Sequence, residues 1–444
     1  MSEADQIRAL SEAAYWSEVH RKRRDNPHVV TTGQLQLDTE LGSIDARLLA
    51  VEAHTSDADN PHSVTAAQIG AATAAAVAEH LADLNNPHEV TAEQVGAGTG
   101  GGASSLLQYH PLWHSADATT ITGLAGYTKW MGGVLGPDGK VYGIPCFSES
   151  VLIIDPVAGT ADTTTITGLT GEEKWGGGVL APNGKIYGIP SNSESVLIVD
   201  PVAGTADTTT ITGLTGGAKW IGGVLAPNGK IYGIPLMSES VLIIDPVAQT
   251  ADTTTITGLG AGQKWYGGVL GPDGKIYGIP FESGSVLIID PVAKTADTTT
   301  ITGLTGGAKW IGGVLAPNGK IYGIPGNSES VLIIDPVAGT ADVTTITGLT
   351  GGAKWIGGVL APNGKIYGIP GNSESVLIID PVAGTADVTT ITGLTGGAKW
   401  IGGVLAPNGK IYGIPLMSES VLIVSPGMPT MPIDPLLSPH LNKF

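Results

Sequence analysis

Histidines recur at a fixed spacing near the start of the chain, and neutral imidazole is a common metal ligand. Six of the nine histidines form three pairs, each with an Asn-Pro dipeptide before its second member: His20, His28, His54, His62, His80 and His88. Three copies of one such histidine around a threefold axis would form a metal site. The alternative is structural, with the first histidine of each pair bonding near a helix end and the second supporting the proline turn. The spacing alone does not decide between the metal site and the structural role.

Paired carboxylates, which glycoside hydrolases use, are the second candidate chemistry. The acids that recur from repeat to repeat later in the chain, such as Asp155 and Asp162, occupy turn positions where a structural Asp is expected. The acids that do not recur there are Glu172, Glu173 and Glu282. Every histidine except His440 precedes the repeats, so no Ser-His-Asp set is available. The sequence therefore predicts no enzyme, no catalytic residue and no cofactor.

Composition narrows the range of partners. The 444 residues carry a net charge of −18, which disfavours nucleic acid and anionic membrane surfaces. No apolar run approaches the roughly 20 residues that span a bilayer, so no membrane insertion is expected. A single cysteine, Cys146, excludes an intrachain disulfide. The 66 glycines and 29 prolines favour many short strands joined by tight turns.

Tryptophan marks a repeat with a period of 45 residues, of a length typical of solenoids and propellers. The seven positions are Trp130, Trp175, Trp220, Trp265, Trp310, Trp355 and Trp400. In one unit, four runs are expected to be strands: 299–304, 310–316, 320–325 and 330–335. Asn318-Gly319 between the second and third is a strong hairpin signal. The fold class is therefore predicted to be mainly β, a seven-bladed propeller of four-stranded blades.

Ring closure is predicted from the order of the runs. The array begins with a Thr-rich run and ends with a run of the fourth kind, so pairing 119–124 with 421–424 would complete the last blade. Such pairing also removes two exposed strand edges. The recurring Trp is expected to pack between blades, and the Gly-Gly after it to lie on the innermost strand. The pattern IYGIP…SESVLIIDP…TTTITGL resembles bacterial propellers of the YVTN kind, which implies architecture and not activity.

Helical spacing characterises the first hundred residues. Leu37, Leu41, Ile44, Leu48 and Val51 form a short coiled-coil seam. The motif HxxxxxNPHxVTxxQ occurs three times between residues 20 and 97, and its Thr-x-x-Gln ends form capping boxes. This motif resembles the phage tail-fibre repeat. The resemblance implies a virion fibre, usually a homotrimer, whose N-terminus attaches to tail or baseplate proteins; the seam itself does not separate two strands from three.

These features divide the chain into five parts. Residues 1–24 are expected to form a helix for virion attachment, and residues 25–97 an α-helical, trimeric stalk. Residues 98–115 would form a Gly-rich linker, residues 116–425 the propeller, and residues 426–444 a Pro-rich tail. The expected location is the tail fibre of a virion, outside the cell.

Comparison of the seven units reveals two variable connections: the stretch between the Thr-rich run and the Trp run, and the turn between the third and fourth runs. Alternate connections of a blade emerge on opposite faces, so both should lie on one face, which we call the variable face. Candidate ligand-binding residues there are Tyr127, Thr128, Met131, Phe147, Glu172, Glu173, Asn192, Met237, Gln263, Tyr266, Phe281, Glu282, Asn327, Asn372 and Met417. Aromatic rings beside amides and carboxylates suit sugars. Free drift of an unconstrained face would give the same variability.

The function predicted from these features is attachment of a phage tail fibre to the host cell surface, through a glycan or a protein. Two alternatives remain: a docking component of the tail tip without receptor binding, and a polysaccharide depolymerase.

Overall fold

Strands in residues 114–427, the part of the chain that the computed structural model describes, form seven antiparallel sheets of four strands each. This confirms the predicted seven-bladed, mainly β propeller. No helix occurs between His114 and Gly427, and hence none there that could cross a membrane. The predicted attachment helix, stalk, six paired histidines, most of the linker and nearly all of the tail lie outside the described residues.

The strands are short and equally spaced. The first strand and blades 1 to 3 comprise β1 (Ser115–Asp117), β2 (Trp130–Leu135), β3 (Val141–Pro145), β4 (Leu152–Asp155), β5 (Thr160–Asp162), β6 (Trp175–Leu180), β7 (Ile186–Pro190), β8 (Leu197–Asp200), β9 (Thr205–Asp207), β10 (Trp220–Leu225), β11 (Ile231–Pro235), β12 (Leu242–Asp245) and β13 (Thr250–Asp252).

Blades 4 to 7 continue the same order. They comprise β14 (Trp265–Leu270), β15 (Ile276–Pro280), β16 (Leu287–Asp290), β17 (Thr295–Asp297), β18 (Trp310–Leu315), β19 (Ile321–Pro325), β20 (Leu332–Asp335), β21 (Thr340–Asp342), β22 (Trp355–Leu360), β23 (Ile366–Pro370), β24 (Leu377–Asp380), β25 (Thr385–Asp387), β26 (Trp400–Leu405), β27 (Ile411–Pro415) and β28 (Leu422–Ser425).

The outermost strand of each blade is not the Thr-rich run, so that prediction is wrong. In blade 4 the fourth strand is β17, and the Thr-rich residues 299–304 that follow it form bends and irregular backbone instead of a strand. The cause lies in the aspartate that ends the preceding strand. The Asp297 carboxylate accepts hydrogen bonds from Thr299 N and Oγ1 at 2.7 and 2.8 Å and from Thr300 N at 3.2 Å. These side-chain bonds turn the backbone away from an extended strand.

An N-terminal strand closes the ring as predicted, but it is a different segment. β1 pairs with β28 in the register Ala116↔Val424, and the sheet order is β1-β28-β27-β26. The predicted strand pairing of residues 119–124 is therefore wrong. Thr119 and Thr120 turn onto the Asp117 carboxylate, and beyond them only isolated backbone hydrogen bonds form, such as that from Val421 N to the Ile121 carbonyl at 3.0 Å. On the inner side, blade 7 lies against blade 1. Their glycines approach so closely that a Cβ added to Gly402 would lie 3.3 Å from the Cα of Gly132.

The core lies between adjacent blades. Trp220 of blade 3 packs with Tyr187 and Ile189 of blade 2, and the equivalent tryptophans are buried in the same way. Around the axis, glycines allow the innermost strands to approach one another: a Cβ added to Gly222 would lie 2.8 Å from the Cα of Gly267. Both positions therefore agree with the roles predicted for them.

Candidate functional site

The two variable connections are hydrogen-bonded to each other at one end of every blade. In blade 2, Ser191 N donates to the carbonyl of Lys174 at 2.9 Å, and Asn192 N donates to that of Glu173 at 3.0 Å. In blade 1, Phe147 N donates to the carbonyl of Thr128 at 3.2 Å. The variable face is thus a single surface made from both connections.

The opposite face varies less than the variable face and has its own hydrogen bonds. Tyr187 Oη in blade 2 donates to the carbonyl of Pro246 in blade 3 at 3.3 Å, and Asn183 Nδ2 bonds the Tyr187 hydroxyl at 3.0 Å. The turns there also expose one valine in each of six blades, between 88% and 95% exposed: Val157, Val202, Val247, Val292, Val337 and Val382.

Four of the predicted ligand-binding residues bind the next blade. Asn192 Oδ1 accepts a hydrogen bond from Ala218 N at 2.7 Å. The remaining pairs of this kind are Glu282 with Ala308 (2.9 Å), Asn327 with Ala353 (2.7 Å) and Asn372 with Ala398 (2.7 Å). Each alanine has a positive φ, and the acceptor satisfies its exposed backbone N–H. Part of the variability at these positions therefore has a structural origin.

The other three blades carry an apolar residue at the same turn position. These residues are Phe147, Met237 and Met417, and none of their side chains has an oxygen to accept a hydrogen bond. At the other four junctions the partner position in the next blade is alanine. At these three junctions it is Glu173, Gln263 and Thr128, respectively. Residue type thus changes in a coordinated way on both sides of the blade junction.

Met131 and Tyr266 lie around the propeller axis and not on the outer loops. They belong to a ring of residues that directly follow the recurring Trp and line an axial cavity of about 130 Å³. Tyr266 Oη donates across the axis to Met131 Sδ at 3.7 Å, and the rings of Tyr266 and Phe281 are 5.6 Å apart. Burial raises the pKa of the Tyr266 hydroxyl.

The remaining candidates divide into exposed residues and loop contacts. Tyr127 is 70% exposed, and Glu172 and Gln263 are also exposed. Glu173 accepts a hydrogen bond from Asn192 Nδ2 at 3.1 Å. Thr128 is half-buried with φ +45°. The candidate residues therefore share a face without forming one common pocket.

Three clefts of similar construction open on the variable face, in blades 1, 3 and 7. Their volumes are about 270, 290 and 360 Å³, respectively. Each lies between the Gly-rich stretch that enters the blade and the turn after its second strand. Phe147, Met237 or Met417 lines one side, and two serines from the same turn line another.

A buried lysine precedes each recurring tryptophan, and sequence reasoning missed all seven. Lys219 Nζ donates to the carbonyls of Ser191 at 2.7 Å and Ser193 at 3.0 Å in the preceding blade, and to that of Gly216 at 2.8 Å. Desolvation lowers the pKa of Lys219 to about 8. The full set is Lys129, Lys174, Lys219, Lys264, Lys309, Lys354 and Lys399, each between 2% and 7% exposed. The sequence signal that could have identified them is a lysine that directly precedes the core tryptophan in all seven units.

Groups suited to nucleophilic or metal chemistry are few here. Burial and the nearby Glu173 raise the pKa of the Cys146 thiol to about 12, so it remains protonated near neutral pH. Within residues 114–427, no three His, Cys, Asp or Glu side chains are grouped to hold a metal ion.

The sequence matches no family model and no curated protein. Solved structures with a similar fold include virginiamycin B lyase from Staphylococcus aureus, with a TM-score of 0.59 and 11% identity over 70% of this chain and 99% of that chain. A streptogramin B lyase gives 0.59 and 12% over 70% and 97%. Hydrazine synthase from Kuenenia stuttgartiensis gives 0.51 and 17% over 68% and 97%. At these identities the likeness shows the propeller fold, which can carry enzymatic activity.

Proposed function

We propose that this chain is a phage tail-fibre, receptor-binding protein whose propeller attaches to a glycan on the host cell surface. The observation that carries the proposal is the contrast between the two faces. Hydrogen bonds join the variable connections into one surface with exposed aromatic, amide and hydroxyl groups. The opposite face repeats the same turns in almost every blade. The tail-fibre motif of the N-terminal region supports placement in a virion.

Attachment is favoured over catalysis by the chemistry of the described residues. A variant of the Staphylococcus aureus lyase in which a histidine is replaced by alanine is catalytically inactive. Between residues 114 and 427 of this chain the one histidine is His114, and its Nδ1 lies 2.6 Å from Tyr367 Oη on the opposite face. Cys146 is buried as a thiol. Of the three acids that do not recur, Glu173 and Glu282 bond neighbouring loops, and Glu172 is exposed. These groups support a binding protein and not a depolymerase.

Docking within the virion is a second candidate function, and the exposed valines favour it. Six equivalent apolar side chains on the opposite face would suit contact with another virion protein. Docking and receptor binding would then use different faces.

A comparison of face-specific variants tests the proposal. Labelled full-length protein is incubated with a panel of bacterial strains, and cell-bound fluorescence is measured. We expect Tyr127→Ala with Phe147→Ala to reduce binding to a strain that the parent protein binds. The matched control, Val157→Ser with Val247→Ser and Val337→Ser, should bind that strain like the parent.

Either of two results would contradict glycan attachment through the variable face: no strain binds the parent protein, or the valine variant alone loses binding. The second result would support docking through the opposite face. Release of reducing sugar from a bound strain's polysaccharide would support the depolymerase.

A further inference from the structure

The three clefts occur in the blades that carry an apolar residue at the turn. Phe147 in blade 1, Met237 in blade 3 and Met417 in blade 7 occupy equivalent positions, and each lines its own cleft. In the other four blades, this position is Asn192, Glu282, Asn327 or Asn372, whose oxygen is bonded to the next blade. An apolar side chain cannot make that bond and instead lines the cleft. Residue type at one position therefore distinguishes two classes of blade.

Neutral groups line the clefts beside this apolar wall. In blade 3 the cleft includes Ser238 and Ser240, whose hydroxyls lie 3.2 Å apart, and the backbone of the stretch 213–217. Lys219 also lines this cleft, but its ammonium group already donates hydrogen bonds to three carbonyls. No carboxylate lines any of the three clefts. An apolar wall facing hydroxyls and peptide groups suits a neutral ligand that has an apolar face and several hydroxyls.

Size also limits the ligand. The volumes of about 270 and 290 Å³ lie just below, and that of about 360 Å³ just above, the lower limit of the range of about 300–1,000 Å³ for small-molecule sites. This suits one sugar ring at a time. In blade 1 two aromatic side chains, Phe147 and the exposed Tyr127, line the cleft together.

We propose that these clefts are three equivalent binding sites for single neutral sugar rings of a surface polysaccharide. This inference rests on the proposed function and names its ligand class. The C–H face of a ring packs on Phe147, Met237 or Met417, and the ring hydroxyls bond the turn serines and the backbone of the Gly-rich stretch. Three sites on one face bind a repeating polymer more tightly than one site alone, by about 10²–10⁴ where the spacing permits.

The proposal is tested by converting the three blades with an apolar turn residue into the class that carries Asn there. The cleft variant carries Phe147→Asn with Glu173→Ala, Met237→Asn with Gln263→Ala, and Met417→Asn with Thr128→Ala. Each pair reproduces the native combination of Asn192 with Ala218, which favours correct folding. The matched control is Gln249→Gly with Lys294→Gly on the opposite face, where both residues have a positive φ and four other blades carry glycine.

Binding of the methyl glycosides of glucose, galactose, mannose and N-acetylglucosamine to the full-length proteins is measured by saturation-transfer NMR. The parent and the control should bind at least one glycoside, and the cleft variant should bind it about tenfold more weakly or not at all, since the apolar wall is lost. Unfolding midpoints verify that all three proteins are folded. Absence of binding to the parent, or equal binding by the folded cleft variant, would overturn the proposal.

The strain-binding assay separates the two levels of the hypothesis. Equal attachment of the cleft variant and the parent to cells would show that the clefts are not the receptor sites, while attachment itself would stand. Glycoside binding through the clefts without attachment of the parent to any strain would support the clefts and contradict the adhesive function.

Discussion

Seven buried lysines lie at the blade junctions on the variable face. Each ammonium group lies between 5.8 and 6.0 Å from the ring centre of the following tryptophan. The chain thus buries a charge at every blade junction and compensates it with carbonyl oxygens and an aromatic ring. The number of carbonyls differs: Lys219 Nζ bonds three, whereas Lys264 Nζ bonds Gly262 alone, at 2.9 Å.

This difference predicts unequal effects of one substitution. Both Lys219→Met and Lys264→Met remove a buried charge and keep a side chain of similar length. Lys219→Met also leaves two further carbonyls without their charged donor, and each such bond is worth about 1–3 kcal/mol. We expect the free energy of unfolding, measured in urea, to fall by about 2 kcal/mol more for Lys219→Met. Equal losses would show that these carbonyl contacts contribute little.

A second residue-scale prediction concerns His114, which joins both ends of the propeller. Gly427 N donates to His114 Nδ1 at 3.1 Å, so this nitrogen must be unprotonated. Burial, and then the charge of Lys365, lower the pKa of His114, although Asp387 opposes them. Because the pKa is lower in the folded state, the unfolded state binds the proton more readily, and stability falls as the pH drops below about 6.5.

Replacement of His114 by Gln keeps an acceptor that does not titrate. We expect the melting temperature of His114→Gln to fall less than that of the parent between pH 7.5 and pH 5.5. The eight remaining histidines are shared by both proteins, so the difference isolates His114. Parallel melting curves at every pH would contradict this role.

At the scale of the structural elements, the Asp-Thr turn after each outermost strand depends on a charged carboxylate. Its carboxylate is ionised in the folded protein, since hydrogen bonds from Thr300 and Thr299 lower the pKa of Asp297 to about 2. The pKa of an unfolded Asp is about 3.9, so this contribution to stability is present above pH 4 and is lost as the pH falls towards 2. Equivalent turns follow in the other blades, and their losses should add.

The variant Asp297→Asn tests this turn. Its uncharged amide accepts weaker hydrogen bonds, so we expect a lower melting temperature than that of the parent at pH 7 and a smaller difference at pH 2.5. Thr302→Ala, at an exposed position outside the turn, should melt like the parent at both pH values. A gap that is constant with pH would show that the Asp297 charge is unimportant.

The blade elements that could be predicted are those with strong local signals. The period of the tryptophans and Asn318-Gly319 indicated the number of blades and the central hairpin. The outermost strand was missed because Thr-Ala-Asp is only three residues long, while the following threonines have high β propensity. The hydrogen bonds that Thr299 and Thr300 donate to the Asp297 carboxylate outweigh that propensity.

Within the candidate site, alternation of connections predicted the shared face but not what each side chain contacts. The hydrogen bond from Ala218 N to Asn192 joins adjacent blades. The two residues are 26 apart in the sequence, and the one sequence signal for their contact is that both positions change together across the seven units. Tyr266 was placed with the loop residues, although its position after Trp265 puts it on the innermost strand. That strand faces the axis, so an aromatic ring there fills the cavity.

At the scale of the whole molecule, the axial ring is where the seven blades meet. The position after the recurring tryptophan is Ile in four blades, at Ile221, Ile311, Ile356 and Ile401. It is larger at Tyr266 and smaller at Gly176. Tyr266 crosses the axis to Met131, in the blade next to that of Gly176. The missing side chain in blade 2 thus leaves space on the side that the tyrosine reaches.

This arrangement predicts that Tyr266 and Gly176 are energetically coupled. Tyr266→Ile should enlarge the axial cavity and lower stability by about 1–3 kcal/mol, because a half-buried ring loses its contacts with Met131 and Phe281. Gly176→Ile should also destabilise, because its added Cβ would lie 3.1 Å from Ile221 Cγ1 while Tyr266 still occupies the axis. The double variant places Ile at both positions, as in four other blades, and should recover much of the lost stability. Unfolding free energies of the four proteins give the coupling directly, and additive losses would mean that the two blades are independent at the axis.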